Sequence, residues 1–261
     1  MQGTNVELVQ RFYGALNAND LAGLRRLCRN IEFVNPESAT EPGTRVGPEA
    51  FRAAFEGLHA NFESFRCEPE RITPFRSSLV GVVARSTGSG RMSAIPFEEL
   101  HGHVLTLSGE LIRRFEWFQT VDAAYAAAAE RSFRESMEAY SRGDYDDALT
   151  GFHPDIEWWV ADDIMPDAGL FQGHEGVRRF WTNWSEVMED MSLDIETCTA
   201  IGPDRVFAVT RAAGKGAGSG IAVASGRFAQ VAELEDGLVV RVRLSADVRA
   251  TRASIGLDQR P

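Results

Sequence analysis

Two histidines one residue apart, His101 and His103, are the first groups in this chain whose type and spacing suit chemistry. On a strand, alternate side chains share a face, so both imidazoles stand on one side, with Glu99 continuing it. A metal could use that spacing, but a catalytic site usually draws three protein ligands and a closed one four. No further ligand stands at a fixed offset, so the expectation is no metal. A general-base role fits either imidazole better, since its unperturbed titration lies near neutrality. Arg114 and Glu116 also share a strand face. A carboxylate beside a guanidinium suits substrate orientation or proton transfer, and equally well a purely structural ion pair. Arg241 and Arg243 repeat that spacing with two cations, which suits an anionic or carbonyl-bearing ligand or an exposed strand surface.

Aromatic residues concentrate further along, at Trp158, Trp159, Phe171, Trp181 and Trp184. Core packing is the default for such residues. Trp158 and Trp159, however, are adjacent on a strand and must point opposite ways. One of them can line a pocket, and a flat apolar wall suits polycyclic or terpenoid ligands. The glycine-rich stretches 86–90 and 215–220 match no phosphate-binding loop. Gly214-x-Gly216-x-Gly218 lies between strand signals and not ahead of a helix, so a nucleotide reading fails. No nucleophile elbow or Ser-His-Asp order is present.

The elements that must position these groups occur twice. Asn17-Ala-Asn-Asp20 falls on Ser141-Arg-Gly-Asp144, an offset of 124. Ile31-Glu-Phe33 falls on Ile156-Glu-Trp158 at 125, Gly47 on Gly173 and Arg85 on Arg211 at 126, and Leu111 on Leu238 at 127. A period near 125 residues is a whole domain and not a solenoid module. The expected division is 1–124 and 125–261, across the helical-looking alanine run 123–129. Each copy reads helix, helix, strand, acidic Pro/Gly loop, helix, then strands. Thr4 to Glu7 has the pattern of a capping box, and Asp20 and Asp144 those of helix caps. Val6, Val9, Phe12, Tyr13 and Leu16 follow helical spacing. Ser108-Gly109 and Asp236-Gly237 mark tight turns, the latter favouring type I′ hairpin geometry. In the closing strand of the first copy, Leu111, Arg113, Phe115 and Trp117 alternate with Ile112, Arg114, Glu116 and Phe118. Helices set apart from a sheet make the class α+β.

Composition bounds the partners. Thirty-eight acidic against 27 basic residues give a net charge of −11, which argues against a nucleic-acid or anionic-membrane surface. Three widely spaced cysteines fit reduced thiols. The start M-Q-G-T-N-V-E-L lacks the pattern of a signal peptide, and no apolar run reaches spanning length, so the expectation is a soluble, cytoplasmic protein.

The stretch from Val9 to Leu24, V-Q-R-F-Y-G-A-L-N-A-N-D-L-A-G-L, followed by I-E-F-V-N-P, resembles the NTF2-like superfamily and its SnoaL-like branch of polyketide cyclases and ketosteroid isomerases. The second copy resembles it through P-D-A-G-L-F-Q-G-H-E-G-V-R-R-F-W (166–181), G-S-G-I (218–221) and E-D-G-L-V-V-R-V-R (235–243). The resemblance implies two tandem cones, each a curved antiparallel sheet wrapped on helices with an apolar pocket at its open end. It also implies an intramolecular pseudo-dimer. The isomerase base position holds Asn35, the helix donor position Phe12, and the third position the His101 to His103 strand. The first copy therefore departs from steroid-isomerase chemistry. In the second, the base position falls near 160–163, making Asp162 or Asp163 the expected base, with Ser136 near the donor position. The resemblance further turns the Arg114–Glu116 face into the cone.

The resulting expectation is a SnoaL-like enzyme acting by general acid–base chemistry on a hydrophobic metabolite, as a cyclase, isomerase or epoxide-opening type, without cofactor. Its catalytic candidates are Asp162, Asp163, Glu116, His101 and His103. Its substrate contacts are Asn35, Arg114, Trp117, Trp158, Trp159, Trp181, Arg241 and Arg243. A non-catalytic binder of a hydrophobic ligand, and an interaction module with filled cones, stand beside it because one fold hosts all three.

Overall fold

The computed structural model describes residues 2–37, 42–164, 168–216 and 222–257. The chain divides into two compact units, Met1–Ala128 and Ala129–Pro261. In the first, α1 (Gln2–Asn17) buries Leu8, Val9, Phe12, Tyr13 and Leu16, one stripe of helical spacing. The helix begins at Gln2, so Thr4 lies within its first turn and the capping box expected there does not start it. Asp20 does cap α2 (Leu21–Leu27), its Oδ1 accepting the Gly23 amide hydrogen at 2.9 Å. Strands β1 (Glu32–Asn35) and β2 (Gly43–Val46) precede α3 (Pro48–Asn61). Four longer strands follow: β3 (Arg66–Arg76), β4 (Leu79–Ser89), β5 (Pro96–Ser108) and β6 (Leu111–Phe118).

These strands form one six-stranded sheet in the order β2-β1-β6-β5-β4-β3. Its pairings are antiparallel except β1–β6, which is parallel. The long connection from β1 to β6, through α3 and the four strands β2 to β5, is what a parallel pairing requires. The edge strand β3 has an unpaired outer side, and Asn17 satisfies it at Cys67. Its side chain donates to the Cys67 carbonyl at 2.8 Å and accepts the Cys67 amide at 2.9 Å. That bond pair pins the end of α1 to the sheet.

The second unit repeats the plan. From Ala129 on, α4 (Val121–Ser141) supplies its first helix, and Asp144 caps α5 (Tyr145–Leu149) through Asp147 N at 3.1 Å. Then come β7 (Phe152–Val160), β8 (Gly169–Gln172), α6 (Gly173–Val187), β9 (Met188–Ala200), β10 (Arg205–Gly216), β11 (Ala222–Glu235) and β12 (Leu238–Ser245). The sheet order is β8-β7-β12-β11-β10-β9, with β7–β12 the parallel pair. Ser141 takes the role of Asn17, its Oγ donating to the Leu193 carbonyl and accepting the Leu193 amide, both at 3.4 Å. Asp236 and Gly237 have φ of +47° and +84°, both left-handed as a type I′ turn demands. The motif 218–221 and part of 166–181 lie outside the described residues.

Strict alternation fails in both closing strands. A register slip at Thr106/Leu107 leaves Ile112 and Phe115 on the same buried face, and a slip at Glu233/Leu234 does the same for Val239 and Val242. The core of the first unit lies between that face and α1, α2 and α3, around Phe12, Phe33, Phe51 and Phe115. The opposite face is partly covered in each unit. In the first, Tyr125 of α4 packs edge-on to Phe75 at 5.4 Å and shares a 2.7 Å hydrogen bond with Thr73. In the second, α7 (Val248–Ser254) lays Val248 on Phe207, Val209, Ala229 and Val231. All three cysteines are free and buried. Among the described residues, no helix is long and apolar enough to cross a membrane.

Gly102 shows how closely α4 sits on β5. A Cβ there would stand 2.3 Å from the Ala124 methyl and 2.8 Å from the Thr120 carbonyl oxygen. Gly102→Ala is therefore expected to destabilise the first unit by about 1–3 kcal/mol. Gly14, exposed on α1 with nothing near its absent Cβ, should respond oppositely. Gly14→Ala is expected to add about 0.5–1 kcal/mol by relieving backbone entropy. Denaturant unfolding of the two variants checks the pair, and an unchanged Gly102→Ala midpoint would refute the close α4–β5 contact.

Candidate functional site

The buried face of the first sheet carries a polar pair at its centre. From α1, Tyr13 reaches His103 on β5, with Oη and Nδ1 2.5 Å apart and the rings stacked at 6.0 Å. Phe115 lies 4.7 Å from the same imidazole. Tyr13 is 1% exposed and His103 2%, so the pair is sealed. Burial, with Cys67 adding to it, pushes the Tyr13 phenol well above its ordinary range. Burial first, and neighbouring His101 second, lower His103 to about 3. Both groups are neutral at physiological pH and share one hydrogen. His103 is thus a poor base at neutrality, because protonating it would bury an unpaired charge.

His101 stands one turn of the pleat further out, on the same face. Its ring is 5.1 Å from Trp117, its Nε2 lies 3.6 Å from Glu99 Oε2, and its Nδ1 has no hydrogen-bond partner. Burial lowers its pKa, and Glu99 opposes that. Among the described residues, no three His, Cys, Asp or Glu side chains gather closely enough to hold a metal ion. Asn35 ends β1 half-buried, two residues from Phe33 and so on its face. A void of about 10 Å³ between α2 and α3, beside Cys28 and Phe51, holds at most one water.

Arg114 and Glu116 are placed differently from expectation. Packing of Phe115 against Phe12 and Phe33, at 5.7 and 5.6 Å, turns the neighbouring side chains away from the interior. On that outer face Arg114 bonds Glu32 at 2.5 Å and Glu116 at 3.2 Å, tying β1 to β6. Arg241 does the same in the second unit, donating to Glu157 at 2.9 Å and Glu233 at 2.8 Å. Arg243 is exposed across from Trp159, itself 44% exposed. These groups form clamps across strands and do not face the buried side. Asp162 and Asp163 occupy an exposed turn after β7. Asp163 Oδ2 accepts from Ser245 Oγ and the amides of Ala246 and Asp247, at 3.1, 3.1 and 3.2 Å, and so shapes the turn into α7.

The second unit opens where the first is closed. A cavity of about 40 Å³ lies against Met137, Trp158, Trp181, Thr210 and Gln230, and among the described residues no acid, imidazole or cation lines it. Trp158 points inward, 2% exposed, edge-on to Trp181 at 5.9 Å. Ile164, Trp184 and Phe228 are half-buried and form its mouth, the last two in edge contact at 6.0 Å. Strand register explains the difference. His103 pairs with Val82, and Gln230 with Ala208, an offset of 126 between the partners. The same repeat sets Met137 at the place of Tyr13, an offset of 124. With no phenol to bond, Gln230 donates instead to Thr210 Oγ1 at 3.1 Å, and its Oε1 has no hydrogen-bond partner. The first unit has Ala84 where the second has Thr210, again 126 apart.

Tyr13 and Gln230 escaped the sequence reading. Family alignment set Phe12 at the donor position, yet adjacent helical residues can both face a wide core. Gln230 carries no charge, and its signal was an amide between the apolar Ala229 and Val231.

Residues 9–115 and 133–242 each match the SnoaL-like domain. Among solved structures, an NTF2-like protein of unknown function from Burkholderia pseudomallei is 24% identical, with a TM-score of 0.42 over 49% of this chain and 97% of its own. TerC, co-crystallised with polyporic acid, is 23% identical, with a TM-score of 0.41 over 49% and 98%. A protein of ketosteroid isomerase-like fold from Catenulispora acidiphila, in complex with trimethylamine, is 17% identical, with a TM-score of 0.39 over 46% and 90%. Comparison with curated proteins gives no match. With two successive domain matches spanning most of its length, the chain belongs to the SnoaL-like family, as two tandem α+β domains of the NTF2-like type.

Proposed function

We propose that this protein is a receptor for a small hydrophobic molecule, held in the aromatic cavity of the second unit. The observation that carries this reading is the cavity wall, built from Trp158, Phe180, Trp181 and Phe228 and, among the described residues, without a carboxylate, imidazole or cation. Such a wall favours flat apolar guests through area burial and ring stacking. Tyr140, a titratable group at the wall, is pushed up by burial with Tyr145 adding to it, and so stays protonated. At about 40 Å³ the cavity takes only a few heavy atoms. An arene enters by displacing Ile164 and Trp184 at the mouth.

A second reading keeps the acid–base enzyme, of cyclase, isomerase or epoxide-opening type. The observation in its favour is His101, whose Nδ1 is unbonded beside Trp117. Neither reading calls for a metal or organic cofactor.

Native mass spectrometry of protein from its own source is expected to show a co-purifying small molecule. Met137→Trp, which fills the cavity, should abolish that binding while leaving far-UV circular dichroism intact. An empty spectrum, with no tryptophan quenching by any hydrophobic compound of a broad panel, would remove the receptor reading. Loss of turnover of the bound compound in His101→Gln would instead favour the enzyme.

Burial of His103 sets a second expectation. Its pKa is about 3 folded and about 6.5 unfolded. Between these values the unfolded chain binds more protons, so stability is full above pH 6.5 and falls as pH drops towards 3. The loss is on the order of 4 kcal/mol at the lower end. His103→Gln should flatten the stability–pH curve of the first unit in that window, and an unchanged curve would contradict a neutral buried imidazole.

A further inference from the structure

We propose that the guest of the second unit is an uncharged molecule carrying both a hydrogen-bond acceptor and a hydrogen-bond donor, read by Trp158 Nε1 and Gln230 Oε1. This rests on the receptor reading above and adds the polar pattern of the guest. Trp158 and Gln230 are 2% and 3% exposed, and both line the same cavity. Trp158 Nε1 and Gln230 Oε1 are buried without a hydrogen-bond partner. Buried polar atoms are nearly always bonded, because each unmade bond forfeits the hydration that burial removed. Two such atoms on side chains of one cavity wall, one a donor and one an acceptor, would be complemented by a guest that reaches them with the opposite pair.

The first unit shows what satisfies this position. At the place of Gln230 stands His103, and the hydroxyl of an aromatic ring, Tyr13, bonds it at 2.5 Å. The second unit has Met137 where that ring would be, so the first helix offers Gln230 no hydroxyl and a guest can supply one. The described wall disfavours charge as well. An ionised guest would lose its hydration without meeting a counter-ion among the described lining residues. Trp158 and Gln230 therefore set specificity, and the remaining rings set shape.

The test compares four neutral arenes of similar size with one anion, by tryptophan quenching and calorimetry. They are para-hydroxyacetophenone, acetophenone, para-ethylphenol and ethylbenzene, with para-hydroxybenzoate as the anion. The hydroxyketone is expected to bind most tightly, with each missing polar group costing about 3- to 10-fold. Trp158→Phe should erase the ketone preference and Gln230→Met the hydroxyl preference, each read as the ratio of affinities for the paired arenes within that variant, so that any change in the apolar wall cancels. Indole N–H resonances of the wild-type protein provide a readout that no variant need fold for. The Trp158 signal should shift downfield with ketones and not with ethylbenzene. Equal binding of ethylbenzene and the hydroxyketone, or tightest binding by para-hydroxybenzoate, would overturn the inference and leave the receptor reading standing. Failure of every arene to bind would remove both.

Discussion

A strand has two faces, and in each unit one of them is committed to aromatic packing. Phe115 lies 5.7 Å from Phe12 and 5.6 Å from Phe33, while Phe12 lies 5.8 Å from Phe51. Each ring pair is worth about 0.5–1.5 kcal/mol beyond its buried area. Shifting β6 by one residue would take Phe115 off the aromatic face and put Arg114 and Glu116 on it, so the register has no near alternative. The same parity, carried across the β5–β6 ladder, turns His101, His103, Leu105 and Leu107 inward. It also sends Gly102 outward, where α4 needs the space.

At the centre of that buried face each unit must satisfy one polar side chain, and the two do so differently. The first closes a neutral hydrogen bond between helix and sheet, leaving a packed interior around Tyr13 and His103. The second replaces the phenol with a thioether, which neither bonds the amide nor fills the same volume. Gln230 bonds sideways to Thr210 along the sheet, and the freed space becomes the cavity. Three matched exchanges, Tyr13 for Met137, His103 for Gln230 and Ala84 for Thr210, therefore accompany the difference between the two interiors.

The outward faces follow a different rule. Glu32, Arg114 and Glu116 in one unit, and Glu157, Arg241 and Glu233 in the other, are charged ladders across neighbouring strands. Glu196 likewise bridges Arg211 and Arg227, the latter at 2.7 Å. Glu116 is itself buried, at 7% exposed, while the other members are partly exposed, and partly exposed pairs add little stability each. They keep charge off the aromatic face of the sheet. Arg114 and Arg241, which look like ligand anchors in one dimension, are occupied in three.

Architecture was legible because it is local and repeated. Caps at Asp20 and Asp144, the Asp236-Gly237 turn, the helical stripes and the near-125-residue period all depend on neighbours within a few residues, or on one half matching the other. What tertiary structure alone decided is which way each strand residue faces. The slips at Thr106/Leu107 and Glu233/Leu234 break the two-residue period that the chain displays. They arise from hairpin pairing, which one strand's sequence does not contain. Hence Trp158 rather than Trp159 turns inward, and Glu116 turns out. Asp163 serves a turn because its partners, Ser245 to Asp247, are 82 to 84 residues away. The sequence by itself determined two α+β copies and their aromatic wealth. The cavity, and the unbonded Trp158 and Gln230 in its wall, exist only once helix and sheet meet, because a cavity is a relation between surfaces distant in the chain.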